Sequence, residues 1–150
     1  MLILVMILLA CSQKDDHNLN KIDDVERSMN DTGTPINELI NEIEWYGSVS
    51  AFNELQIQSL DYRAGEFLGP FMIMADKFNN AEACMQVYYE IVYMYETPQV
   101  AESLPGIFII DSLNPDARKM VIQYLEKADS LGNDQAKTHL LEYKKLGVIL

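Results

Sequence analysis

A pattern written twice limits what this chain can fold into. Residues 71–83 and 124–136, 53 positions apart, share the same features in the same order. Each has an aromatic residue (Phe71, Tyr124), an Ala-Asp pair (Ala75-Asp76, Ala128-Asp129) and a large apolar residue (Phe78, Leu131). A two-residue turn follows (Asn79-Asn80, Gly132-Asn133), then a further Ala (Ala83, Ala136). A weaker third copy of the turn and the Ala, Gly47 to Ala51, lies 32 positions before Asn79. Each copy has the pattern of one helix ending, a tight turn and a second helix starting, which is how helical-hairpin repeats are built. Asn79 can stand where the other copies have Gly because Asn tolerates left-handed backbone angles. The small Ala residues allow paired helices to approach closely.

Helix signals fill in the rest. Thr34-Pro35 is a cap followed by a first-turn proline. Ile36, Leu39, Ile40, Ile43 and Tyr46 or Trp45 then recur at helical spacing up to Gly47, predicting a helix over 35–46 with these residues inward. Ser48 or Ser50 can cap the next helix, with Ala51, Phe52, Leu55 and Gln58 or Ser59 inward, ending near Leu60. Residues 61–65 form a loop. In 66–78, Pro70 forbids a helix interior, so Gly69-Pro70 begins the regular helix and 66–68 is a separate turn. The helix over 81–95 is apolar on most sides and should be the central one. Residues 96–113 break the pattern and form an irregular insertion, in which Ile107 to Ile110 is expected to pack as an extended segment rather than lie exposed. Asn114-Pro115-Asp116 starts a helix that Gly132 ends, and Asn133 caps the last one, with Ala136, Leu140 and Tyr143 inward and Lys144 and Lys145 in its final turn. The expected domain spans 35–150, with an apolar tail at 148–150 docked on it.

Eleven basic residues against 23 acidic give a net charge of −12. With no Lys/Arg cluster to interrupt it, this field repels nucleic acid, so no nucleic-acid partner is expected. Residues 1–10 are almost wholly apolar, too few for a mature span but suited to a signal-peptide core. Residues 11–34 have the composition of a disordered tether. Leu8-Leu9-Ala10-Cys11 resembles the lipobox of bacterial lipoproteins, although no Lys or Arg precedes the apolar run. That resemblance implies cleavage before Cys11, a lipid on its sulfur and a membrane anchor. Lys14-Asp15-Asp16 resembles the surface-export signal of Bacteroidetes lipoproteins, implying an outer-membrane, surface-facing location. With Cys11 acylated, Cys84 has no partner and is expected to act as a small buried hydrophobe.

Residues 117–147 resemble the Sel-one-like branch of the tetratricopeptide superfamily, through Tyr124, Lys127-Ala128, Gly132-Asn133 and Ala136. The match weakens over 67–92 and is slight over 47–55. The resemblance implies an all-α fold: a short array of antiparallel helix hairpins (an α-solenoid of about six helices) that serves as a protein-binding scaffold.

Chemistry is sparse. His17 and His139 lack a His or Cys partner at ligand spacing, so no metal is expected, and His139 is placed at the surface or half-buried. No phosphate loop, nucleophile elbow or zinc-protease motif occurs, and no cofactor or catalytic residue is assigned. Asp76 and Asp129 recur in the repeat and are expected to be solvated beside their turns. Tyr88 and Tyr95 fall on the core side of their helix. Tyr89 and Tyr93, four apart, either meet a partner together with Phe108 of the insertion or pack against that insertion. Three functions follow: a non-enzymatic scaffold for another protein, an inhibitor or immunity-type protein that uses its charge to capture a basic enzyme, or an enzyme with a carboxylate site.

Overall fold

The computed structural model describes residues 28–95 and 108–149. The signal segment 1–10, Cys11, His17, most of the tether and most of the insertion lie outside these residues. The described chain is all-α, with six helices and no strand: α1 (Ile36–Tyr46), α2 (Val49–Ser59), α3 (Leu68–Lys77), α4 (Ala81–Tyr93), α5 (Pro115–Ser130) and α6 (Asp134–Lys145).

The repeated turn has a local cause. Gly47, Asn79 and Gly132 all sit at positive φ (63°, 51° and 89°) and end their helices in the left-handed conformation. The next residue folds its amide back to an earlier carbonyl: Ser48 to Glu42, Asn80 to Met74, Asn133 to Ala128. Its side chain then caps the following helix. Ser48, Asn80 and Asn133 accept the amides of Ala51, Ala83 and Ala136, and Asn114 does the same for Ala117. Each such cap stabilises its helix by about 1 kcal/mol. Ala51, Ala83 and Ala136 are buried, so a small residue is needed where the capped turn meets its neighbour.

Helix α4 is the centre. Seven of its residues are buried, from Ala83 to Val92, and it packs on both α3 and α5. Helix α6 packs on α5, and α1 contacts α2 and α3. The Phe52 and Phe71 rings meet edge to face at 5.7 Å, joining α2 to α3. Cys84 is fully buried, as expected of a small hydrophobe. Val148 and Ile149 dock against the core.

Several boundaries differ from expectation. Thr34 does not cap α1: Pro35 occupies the cap position with ψ 134°, and no side chain caps the helix. The Thr34 hydroxyl instead donates to Glu54, as does that of Thr32, and Gln58 donates to Thr32 Oγ1 and the Thr34 carbonyl. This part of the expected tether is therefore strapped to α2. Helix α3 begins at Leu68, one residue before Gly69-Pro70, so Pro70 falls in the first turn, where it displaces no helical hydrogen bond. Helix α4 ends at Tyr93 rather than Tyr95. The Tyr95 hydroxyl lies beyond it and accepts from Asn114. His139, expected at the surface or half-buried, is buried in α6, whereas Trp45 and Tyr46, one of which was expected inward, are both exposed.

At Gly47 a Cβ would overlap the Phe78 ring, in addition to the cost of positive φ. Gly47→Ala should therefore destabilise the protein by about 2 kcal/mol or more. Asn79→Gly, at the matching turn, should be neutral or slightly stabilising. Urea unfolding of both variants checks this, and equal midpoints would contradict it.

Candidate functional site

The described end of the insertion is held from two sides. Phe108, Ile110 and Leu113 are buried. The Tyr143 hydroxyl of α6 donates to the Phe108 carbonyl at 2.8 Å. That carbonyl can only accept, so the one Tyr143 proton is committed to it. The Tyr88 hydroxyl, 3.0 Å from that of Tyr143, is then the donor to Tyr143. Burial pushes both phenols up, that of Tyr143 to about 12, so the relay stays protonated across the physiological range. From α4, the ring of Phe108 meets Tyr93 edge-on at 5.1 Å and lies 6.3 Å from Tyr88 and 6.4 Å from Tyr89.

This packing shapes a cleft of about 510 Å³ between α4 and the end of α2. Gln86, Tyr89, Glu90 and Tyr93 form one wall, Gln56, Ser59 and Leu60 the other, and Tyr62, Ala64 and Phe108 complete it. The three aromatic residues singled out in the sequence thus converge on one concavity. Their roles differ. Phe108 is only 6 % exposed and acts as a buried wall, so it cannot be a projecting anchor. Tyr89 is half-buried, and its hydroxyl accepts from Gln135 of α6. Tyr93 stacks on Tyr89 at 6.2 Å and remains 50 % exposed. Partner contact and packing against the insertion were alternatives in the sequence. In the structure one cluster packs and still presents Tyr93.

Sequence reasoning missed Glu90. It falls four residues after Gln86 and three before Tyr93, and these three form a polar stripe along an otherwise greasy helix. That spacing was the available signal. The Glu90 carboxylate accepts the Gly65 amide. Burial pushes its pKa up, the Gly65 bond opposes this and Glu66 adds to it. Glu90 is the one carboxylate among the described lining residues.

Two other candidates fall outside the cleft. Asp76 accepts from the Tyr124 hydroxyl at 2.7 Å and Lys127 at 2.9 Å, so one copy of the repeat is bonded to the next. Burial opposes ionisation of Asp76, but these two partners outweigh it and hold its pKa below the usual range. Asp129 is exposed, as expected. Among the described residues no His/Cys/Asp/Glu group could hold a metal ion, and no helix is long and apolar enough to cross a membrane.

No family model, curated protein or solved structure matches this chain.

Two predictions follow from the aromatic layer. Tyr143→Phe strands both the Phe108 carbonyl and the Tyr88 hydroxyl and should cost about 2–3 kcal/mol, whereas Tyr88→Phe should cost about 1 kcal/mol. Chemical denaturation ranks them, and the reverse order would refute the relay. His139, 4 % exposed, lies 5.2 Å from the Tyr88 ring, and its Nδ1 has no hydrogen-bond partner among the described residues. Burial pushes its pKa down. The unfolded chain then binds the proton more tightly, so stability is full above about pH 6.5 and falls below it, by up to about 1.4 kcal/mol per pH unit, until the folded-state pKa is reached. His139→Leu should remove that step. The loss from Asp76, whose folded pKa is depressed, comes separately, below about pH 4.

Proposed function

We propose that this chain is a non-enzymatic protein-binding scaffold of Sel-one-like helical hairpins. It is held at a bacterial outer membrane by a lipid on Cys11 and the tether that follows. The observation that carries this reading is the convergence of Tyr89 and Tyr93, from the central helix, and Phe108, from the insertion that follows it, on one cleft. A concave site with aromatic walls and a few placed polar groups suits a protein segment. The all-α fold and the hydrogen bond that the Tyr124 hydroxyl donates to Asp76 across the two copies agree with a stacked-hairpin array. The anchor rests on the lipobox-like residues before Cys11.

A second reading, an inhibitor of a basic enzyme, draws support from the net charge of −12 and from Glu90 in the cleft. It differs in its salt dependence: association steered by charge slows steeply as ionic strength rises. A catalytic reading would need a second acid lining the cleft with Glu90; Glu66, whose charge reaches Glu90, is exposed and is not among the described lining residues.

Crosslinking in the native cells, followed by capture from membranes, tests the proposal. Tyr93→Ala should fold normally, because half of that side chain is exposed, and should reduce recovery of the partner at least tenfold. Cys11→Ser should move the protein from the membrane to the soluble fraction. Undiminished recovery with Tyr93→Ala would sink the scaffold reading, and membrane retention of Cys11→Ser would sink the anchor.

A further inference from the structure

Glu90 is the cleft residue that the scaffold reading leaves unused. Its carboxylate is half-buried and, among the described residues, takes one hydrogen bond, from the Gly65 amide. The ion pairs among the described residues join Arg118 to Asp111, Lys127 to Asp76 and Lys145 to Glu142, and none includes Glu90. Residues 96–107, which lead into Phe108, contain Glu96 and Glu102 but no Lys or Arg. An anion turned partly out of water beside a cleft, with no ion-pair partner among the described residues, is a costly arrangement.

The other walls fit a particular cation. Tyr62, Tyr89 and Tyr93 bring three phenol rings to the same concavity, and Gln56 and Gln86 bring amide oxygens. Aromatic faces attract cations, and a planar guanidinium stacks on them while its remaining N–H groups bond carboxylate and amide oxygens. An ammonium group is more strongly hydrated and makes poorer use of the rings. We propose that the cleft receives an arginine side chain presented by a partner protein, its guanidinium paired with Glu90 and lying against Tyr93. This rests on the reading of the cleft as a protein-binding site and names the chemistry it selects. The net charge of −12 draws such a partner in from a distance.

The test uses the full chain, isotopically labelled, and a blocked Gly-Gly-Arg-Gly-Gly peptide titrated by NMR. The Arg peptide should shift the signals of Glu90 and Tyr93. Its citrulline counterpart, the same shape without the charge, should bind at least tenfold more weakly, and Glu90→Gln should weaken the Arg peptide at least tenfold. Gln keeps the size of the side chain and an acceptor for Gly65. If it nonetheless unfolds the protein, Tyr93→Leu serves instead, with the same loss expected. Equal binding of the citrulline peptide, or no shifts with either, overturns the proposal. So does binding that emerges only after Lys21→Gln and Arg27→Gln, which would assign the site to the chain's own tether. Failure here is separable from failure of the scaffold: loss of the cellular partner with Tyr93→Ala but no response to the Arg peptide keeps the scaffold and removes the arginine.

Discussion

The Tyr143 hydroxyl, given to the carbonyl of Phe108, is the bond on which the rest depends. It joins the last helix to the insertion, and by accepting from Tyr88 it joins both to the central helix. All three groups are buried, so each left alone would carry a desolvation cost of about 1–3 kcal/mol. Satisfied together, they fix where the backbone re-enters the core after an irregular stretch. Phe108 is then placed against Tyr93, and the cleft follows from that placement.

The helices themselves were legible because their ends are written in residues with few alternative uses. Asn114-Pro115, Asn80 and Asn133 cap in the structure as their positions require, and Gly47, Asn79 and Gly132 take the left-handed angle that terminates a helix. The recurrent Ala is the acceptor's partner in the cap and also the small residue where helices meet, which explains why it repeats. Thr34 was misjudged because a hydroxyl beside a helix start has other acceptors within reach, and Glu54 is the one it uses.

The site was legible only in part. Tyr89 and Tyr93 stand out by spacing, and Phe108 by its place in an apolar run. Nothing local tells which of them is covered, since that depends on α6, more than thirty residues further on. His139 shows the same limit. Its neighbours in α6 are Thr138 and Leu140, and only the packing of Tyr88 and Tyr89 onto it makes it a core residue. In the sequence Glu90 has the look of an ordinary solvated acid on a helix. Its meaning comes from the loop amide of Gly65 and the tyrosines around it.

The same aromatic layer that closes the core also forms the cleft wall. The stability of the core and the shape of the cleft are therefore coupled through Phe108. A crystal structure at a resolution that places side-chain oxygens tests this most directly. The account predicts the Tyr143 hydroxyl within hydrogen-bonding distance of both the Phe108 carbonyl and the Tyr88 hydroxyl, with the Phe108 ring against Tyr93. A Phe108 ring in solvent, with the two tyrosine hydroxyls apart, would contradict it.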